Sequence, residues 1–209
     1  MALQERGMRT RRLILEAAAD VFAENGYEGA STTAILAKTG LTRGALYHHF
    51  PSKEAIADAL VATQAEAMVA PERTIRLQSI IDLTLSYARE LQDDPLLQAS
   101  VRLTVEQTSF SEGKKLAYQQ SADVVRNIVR DAESRGELIP GADPEDTSQL
   151  IIAAFTGVHL MSQLNTERKD LMHRVSVMWR CLLPGIATPG LLTRLTTRLE
   201  PCGEPGLSD

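Results

Sequence analysis

Ser31-Thr32-Thr33-Ala34-Ile35-Leu36-Ala37-Lys38-Thr39-Gly40-Leu41-Thr42-Arg43-Gly44-Ala45-Leu46-Tyr47-His48-His49-Phe50 reads as two short helices joined by a turn at Gly40. Ser31 or Thr32 can cap the first helix, which carries Ile35 and Leu36 inside, and Thr42 caps the second through about His49. Ile35, Leu41, Leu46 and Phe50 point inward and fix the crossing angle. Thr33, Arg43, Gly44, Tyr47 and His48 are left on the outer face. A helix presented in this way fits a DNA major groove, and its N-terminal residues meet base edges. Arg43 can donate two hydrogen bonds to guanine O6 and N7, and Gly44 lets the backbone come close. Thr33, Tyr47 and Lys53 are spaced for phosphates, which set register and not sequence.

Outward from this segment the apolar period is helical almost throughout. Ile14, Ala17, Ala18, Val21 and Phe22 form the inner face of a first helix that stops at Asn25-Gly26. Ser52 caps a fourth helix from Lys53 to about Val69, and Leu77 to Leu91 mark a fifth. Asp93-Asp94-Pro95 opens a sixth, 114–135 a seventh ended by Gly136, and Asp143-Pro144 an eighth. The ninth is expected from Glu167 to about Leu183, and a last amphipathic piece carries Leu192, Leu195 and Leu199. From Pro201 the Pro/Gly-rich composition predicts a disordered tail. The expected fold is all-α: a three-helix helix-turn-helix domain over 1–51, an effector-binding and dimerisation domain over 52–200, and the tail over 201–209. No flexible linker separates the first two, so the fourth helix is shared mechanically between them.

Composition narrows the function. The 209 residues carry a net charge of −5, but 1–54 hold seven Lys/Arg against six Asp/Glu. The remainder is net −6, so the two parts are built for different partners. Cys181 and Cys202 cannot make a disulfide framework or a four-ligand zinc site, and they read as free thiols in a reducing cytoplasm. The uncharged stretch from Thr147 to Thr166 has the length of a membrane span, but its Thr, Ser, Gln, His and Asn residues favour a buried helix. His48 and His49 are adjacent, so they face about 100° apart on a helix and do not chelate one ion; His159 and His173 lack acidic partners at ligand spacing. No nucleophile elbow or Gly-rich phosphate loop appears, so neither an enzyme nor a metal site is expected.

Gly26-Tyr27, then Leu41-Thr42-Arg43-Gly44-Ala45-Leu46-Tyr47-His48-His49-Phe50 and Ser52-Lys53-Glu54, closely resemble the DNA-binding domain of TetR-type repressors. The rest of the chain is similar to one branch, the γ-butyrolactone receptors and pseudo-receptors of antibiotic-producing actinomycetes. Gln4-Glu5-Arg6, Val101-Arg102-Leu103-Thr104-Val105-Glu106-Gln107, Gly136-Glu137-Leu138-Ile139-Pro140, Phe155-Thr156-Gly157-Val158 and Met178-Trp179-Arg180 carry that resemblance, over roughly 4–195. It implies a cytoplasmic homodimer on a double-stranded, pseudo-palindromic operator, released by a small effector, with Thr32, Thr33, Arg43, Gly44, Tyr47, His48, His49 and Lys53 at the DNA. The eighth and ninth helices, paired with their symmetry mates, would form the dimer interface.

Two departures from the branch matter. In the recognition helix Arg43 stands where Lys is common, and His48 where Phe is common; Arg keeps a guanine donor but is not interchangeable with Lys. The pocket tryptophan of lactone receptors is matched by Tyr118, while Trp179, the one tryptophan, falls on the ninth helix. Gln64 and Thr156 are the expected polar pocket residues, with Ile81, Leu85 and Val105 as apolar lining. Each has a plainer alternative: Gln64 at a solvated surface, Thr156 bonded to its own helix, the apolar three in the core. Replacing indole by phenol reshapes the pocket and favours a pseudo-receptor for an antibiotic or biosynthetic intermediate over a true hormone receptor. A small-molecule-binding module that no longer reads DNA is the rival of another class.

Overall fold

The computed structural model describes residues 2–106 and 112–198, with side chains described over 5–104 and 119–198. The described residues are almost wholly helical. They form α1 (Ala2–Gly29), α2 (Thr32–Thr39), α3 (Arg43–His49), α4 (Lys53–Ala67), α5 (Arg76–Asp93) and α6 (Pro95–Glu106). α7 (Glu112–Ser134), α8 (Pro144–Thr166), α9 (Leu171–Ile186) and α10 (Pro189–Leu192) follow. No helix among them is long and apolar enough to cross a membrane. The expected tail over 201–209 lies outside the described residues. Two compact units emerge, one from 1–67 with 93–121 and the other from 68–92 with 122–209.

In the first unit α6 packs on α1 and α4, and α2 packs on α1. Ile14, Ala18 and Phe22 of α1, Ile35 of α2, Leu46 of α3, Ile56 and Leu60 of α4 and Leu103 of α6 make one buried core. Gly26 breaks α1 with φ 64 and ψ 176, backbone angles that glycine adopts without the Cβ penalty, and one further turn carries the chain to Gly29. The Arg102 guanidinium donates to the carbonyl of Ala23 near that break.

The second unit is centred on α5, whose Leu77, Ile80, Ile81, Leu83 and Leu85 are buried. Its N-terminus is capped from far along the chain. The buried Glu137 carboxylate accepts from Arg76 N–H and Leu77 N–H, both at 2.8 Å, after the turn at Gly136. These are free donors of a first helical turn, and a carboxylate there also meets the positive end of the helix dipole. Trp179 of α9 is fully buried, and its Nε1–H donates to Thr84 Oγ1 at 2.7 Å. The Thr84 hydroxyl in turn donates to Ile81 O at 2.9 Å.

Several boundaries differ from the sequence reading, and the last amphipathic piece is helical only over α10, with Leu195 outside it. α4 ends at Ala67, ahead of the expected Val69. α9 starts at Leu171 and not at Glu167, because Glu167 and Arg168 take left-handed backbone angles that close α8. The turn is held by Asp170, whose Oδ1 accepts from Ser162 Oγ at 2.5 Å and Thr166 Oγ1 at 2.7 Å. Arg174 Nε donates to Asp170 Oδ2 at 2.7 Å. Those hydroxyl donors, with Arg174, hold the Asp170 carboxyl down at about 2. α9 then runs past Pro184 to Ile186.

α8 buries several polar residues and exposes several apolar ones. Thr147, Ser148, His159 and Ser162 are buried, whereas Leu150, Met161 and Leu164 are exposed. Phe155 stacks edge-on against Tyr87 and packs beside His159, each at 5.7 Å between ring centres. Burial there, reinforced by Arg168, pulls the His159 imidazole down to about 4.

Thr84→Val removes the acceptor for a fully buried indole N–H, so it should cost about 1–3 kcal/mol of unfolding free energy. Thr84→Ser keeps the acceptor and should cost less. Urea titration followed by Trp179 fluorescence reads both; equal losses would show that the cost comes from packing and not from the hydrogen bond.

Candidate nucleic-acid interface and effector residues

The helix pair is fixed by satisfied helix ends. Ser31 Oγ accepts from Ala34 N–H at 3.1 Å, so Ser31 and not Thr32 is the cap of α2. Gly40 closes α2 in the left-handed region at φ 65 and donates to Leu36 O. Thr39 Oγ1 accepts from Leu41 N–H at 3.2 Å, which stiffens the turn. Thr42 Oγ1 then accepts from Ala45 N–H at 3.2 Å and starts α3. Ile35 and Leu46 are fully buried, so the two helices cannot roll without opening the core.

Of the eight sequence-designated DNA contacts, Thr33, Arg43, Gly44, Tyr47 and His48 are exposed, and Thr32, His49 and Lys53 are half-buried. A Cβ at Gly44 would meet nothing within 4 Å, so glycine there is not required by the fold. The Arg43 guanidinium lies over the Tyr47 ring at 5.6 Å, which holds a flexible side chain near one position. Tyr47 Oη sits 3.4 Å from Thr32 Oγ1, joining α3 to the start of α2. Hydrogen bonding from Thr32 and then from Arg43 lowers the Tyr47 phenol from its ordinary value. The His48 and His49 rings meet edge-on at 5.4 Å. Arg11 of α1 lies over the Phe50 ring at 5.1 Å, bringing a further cation to this part of the unit.

Lys53 is turned into the fold. Its Nζ donates to Tyr27 O at 2.7 Å and Ala30 O at 3.1 Å, and it lies 4.2 Å from the centre of the Tyr27 ring. An ammonium has three N–H groups, so one remains for a phosphate. Tyr27 in turn stacks on Phe22 at 5.8 Å. The lysine therefore clasps the start of α4 to the connection between α1 and α2.

The effector residues divide between the units. Gln64, Val105 and Tyr118 belong to the first, and Ile81, Leu85 and Thr156 to the second. Gln64 Nε2 donates to Thr104 Oγ1 at 2.8 Å, tying α4 to α6, so it is not a freely solvated residue. Thr104 donates to Ser100 O at 3.0 Å, and the fully buried Ser100 Oγ has no partner among the described residues. Thr104 and Ser100 were not singled out from the sequence, although their spacing of four puts both on one face of α6. Ile81 and Leu85 are almost fully buried. Thr156 is half-buried, and its hydroxyl bonds to no described residue, its own helix included. The side chains of Val105 and Tyr118 lie outside the described residues.

Residues 14–60 match the family described as bacterial regulatory proteins, tetR family, and residues 74–188 match the tetracyclin repressor-like C-terminal domain. The chain is 36% identical over 195 residues to the A-factor receptor protein of Streptomyces griseus, covering 93% of this chain and 70% of that one. Among solved structures it is similar to TylP, a TetR regulator from Streptomyces fradiae, at 40% identity and a TM-score of 0.82, over 92% of this chain and 93% of that one. A γ-butyrolactone receptor described as ArpA-like is 25% identical with a TM-score of 0.71, over 90% and 93% of the two chains.

Lys53→Gln should destabilise the protein by about 1–2 kcal/mol, because two carbonyls lose a charged donor. Lys38→Gln, which breaks pairs to the exposed Glu24 and Asp20, should cost clearly less. Denaturant titration of both variants compares them; equal costs would remove the clasp from the account.

Proposed function

The chain belongs to the tetR family of bacterial regulatory proteins, and from that membership we propose how it reads DNA and what releases it. It is a ligand-responsive transcriptional repressor related to the γ-butyrolactone receptors. We propose that it binds a pseudo-palindromic operator as a homodimer, with residues 1–51 at the DNA and 52–200 for effector binding and dimerisation. In this reading Arg43 and its helix enter the major groove, and Arg43 reads one guanine. Gly44 admits the close backbone approach. Thr32, Thr33, Tyr47, His48, His49 and the remaining N–H of Lys53 set register on phosphates and groove walls. The observation that carries the reading is the stacked, exposed Arg43–Tyr47 pair on a capped helix whose opposite face is fully buried.

The homodimer is supported by the exposed Met161 and Leu164 on α8, beside a groove lined by Gly157, Val158, Val177 and Cys181. Burying such a patch against a symmetry mate gives the two-fold that a pseudo-palindrome requires.

For induction, α4 is a rod fixed at both ends inside the first unit. Lys53 clasps one end, and Gln64, eleven residues on and about 16 Å along the axis, bonds Thr104 at the other. An effector that competes for Gln64 would free α4 to shift and would favour the DNA-incompetent state. A coupling of about 1–3 kcal/mol changes operator affinity roughly 5- to 150-fold. Within the first unit, Tyr118, in place of a pocket tryptophan, and Val105 join Gln64 as effector residues. Within the second, Thr156, with its unbonded hydroxyl, joins Ile81 and Leu85. We therefore infer a pseudo-receptor answering an antibiotic or its intermediate and controlling antibiotic biosynthesis. The likeness to the A-factor receptor keeps a true γ-butyrolactone receptor as the second reading.

Arg43→Ala should cost about 1–3 kcal/mol on the operator and relax the preference at one base position. Fluorescence anisotropy on operator and random DNA separates this from a phosphate contact; equal losses on both would remove Arg43 from base reading. A synthetic γ-butyrolactone panel titrated into the same complex should leave it intact. Release at low lactone concentration would make the chain a hormone receptor instead.

A further inference from the structure

Most arginines of the second unit are neutralised. Arg73, Arg76, Arg126, Arg130, Arg135 and Arg174 each lie within ion-pair distance of a carboxylate. Arg89 of α5, Arg180 of α9 and Arg198 beyond α10 do not, nor do Arg168 and Arg194, and no guanidinium of the first three hydrogen-bonds a described residue. All three line one groove of about 380 Å³, and no carboxylate lines it. The groove thus gathers three exposed cationic side chains, none of them in an ion pair, in a chain of net charge −5.

The rest of the groove is built to complement such an anion. The nearly buried Ser176 hydroxyl and Thr197 Oγ1 face each other at 3.3 Å, two rotatable donors beside the guanidinium forks. Leu85 and Met172 supply an apolar floor. The segment that carries Thr197 and Arg198 is pinned to α5. Gln78 Oε1 accepts from Thr196 N–H at 2.9 Å, and Gln78 Nε2 donates to Thr196 O at 3.0 Å. Three chain segments are thus held around one anion-sized opening. His173 also lines it and is shared with the α8–α9 groove, so the two lie on adjoining faces of α9.

We propose that this groove is a second small-molecule site, which takes a phosphorylated organic molecule. The forks of Arg89, Arg180 and Arg198 hold the phosphate, with Ser176 and Thr197 donating to its remaining oxygens. Guanidinium matches phosphate geometry through paired N–H groups, which lysines would not supply. The volume lies within the range of small-ligand sites, and the floor at Leu85 and Met172 meets the organic portion. None of this depends on how the chain reads DNA.

Isothermal titration calorimetry of the full chain with phenyl phosphate tests the site, with inorganic phosphate in a parallel titration. Phenyl phosphate should saturate one site per chain, bind more tightly than inorganic phosphate, and weaken as salt rises. Arg180→Gln and Arg89→Gln should each weaken it by about tenfold or more, the loss of a charge-assisted hydrogen bond. Their melting temperatures without ligand should stay level, which separates a lost site from a lost fold. Arg43→Gln should bind phenyl phosphate as the parent chain does. The proposal is overturned if binding does not saturate, if Arg180→Gln and Arg89→Gln keep it, or if only Arg43→Gln loses it. Equal affinity for the two probes would remove the organic portion from the assignment.

Discussion

A helix that breaks in the middle of a compact unit strands carbonyl groups, and here one ammonium collects them. Gly26 ends the regular part of α1, and the carbonyls of Tyr27 and Ala30 are taken up by Lys53 at the first position of α4. A carbonyl left unpaired at a part-buried site costs about as much as a lost hydrogen bond, so the exit of α1, the entry to α2 and the start of α4 are fixed together. The angle at which α2 leaves, and hence the direction in which α3 presents Arg43 and Tyr47, is inherited from that junction. α3 is only seven residues long, too short to hold itself as an isolated helix. Its order comes from the Thr42 cap, from buried Leu46 and from the unit around it.

The same logic of satisfied helix ends runs through the second unit with different chemistry. Glu137 caps α5 from sixty residues away, and Asp170 gathers two hydroxyls and a guanidinium to close the α8–α9 turn. Trp179 and Thr84 add one directional bond between α9 and α5. On α8, Thr147, Ser148, His159 and Ser162 lie inward beside Ile151, while Leu150, Met161 and Leu164 lie outward.

Much of this was legible in the residues because the signals are local. Ser31, Gly40, Thr42, Asp143 and Gly136 each act within a few positions of themselves, and all stand at helix ends where their chemistry puts them. What the sequence did not disclose depends on partners distant in the chain. The acceptors of Lys53 are main-chain carbonyls, which carry no residue identity, so the sequence shows Lys53 as a phosphate ligand and not its role as a clasp. Glu167 reads as helical because nothing in a glutamate announces a left-handed cap, even though the Asp170 bonds that stabilise its turn are local. Gln64 and Thr104 are forty residues apart, and the arginines of the cationic groove come from three segments.

Hydroxyl-radical footprinting of the full chain on the DNA upstream of its own coding sequence tests the central claim most directly, because it reads both the presentation of α3 and the two-fold together. Two protected patches related by a dyad, their centres one helical turn of about 34–36 Å or a multiple apart, are the expected result. A single patch without symmetry, or protection no different from that on random DNA, would contradict the account.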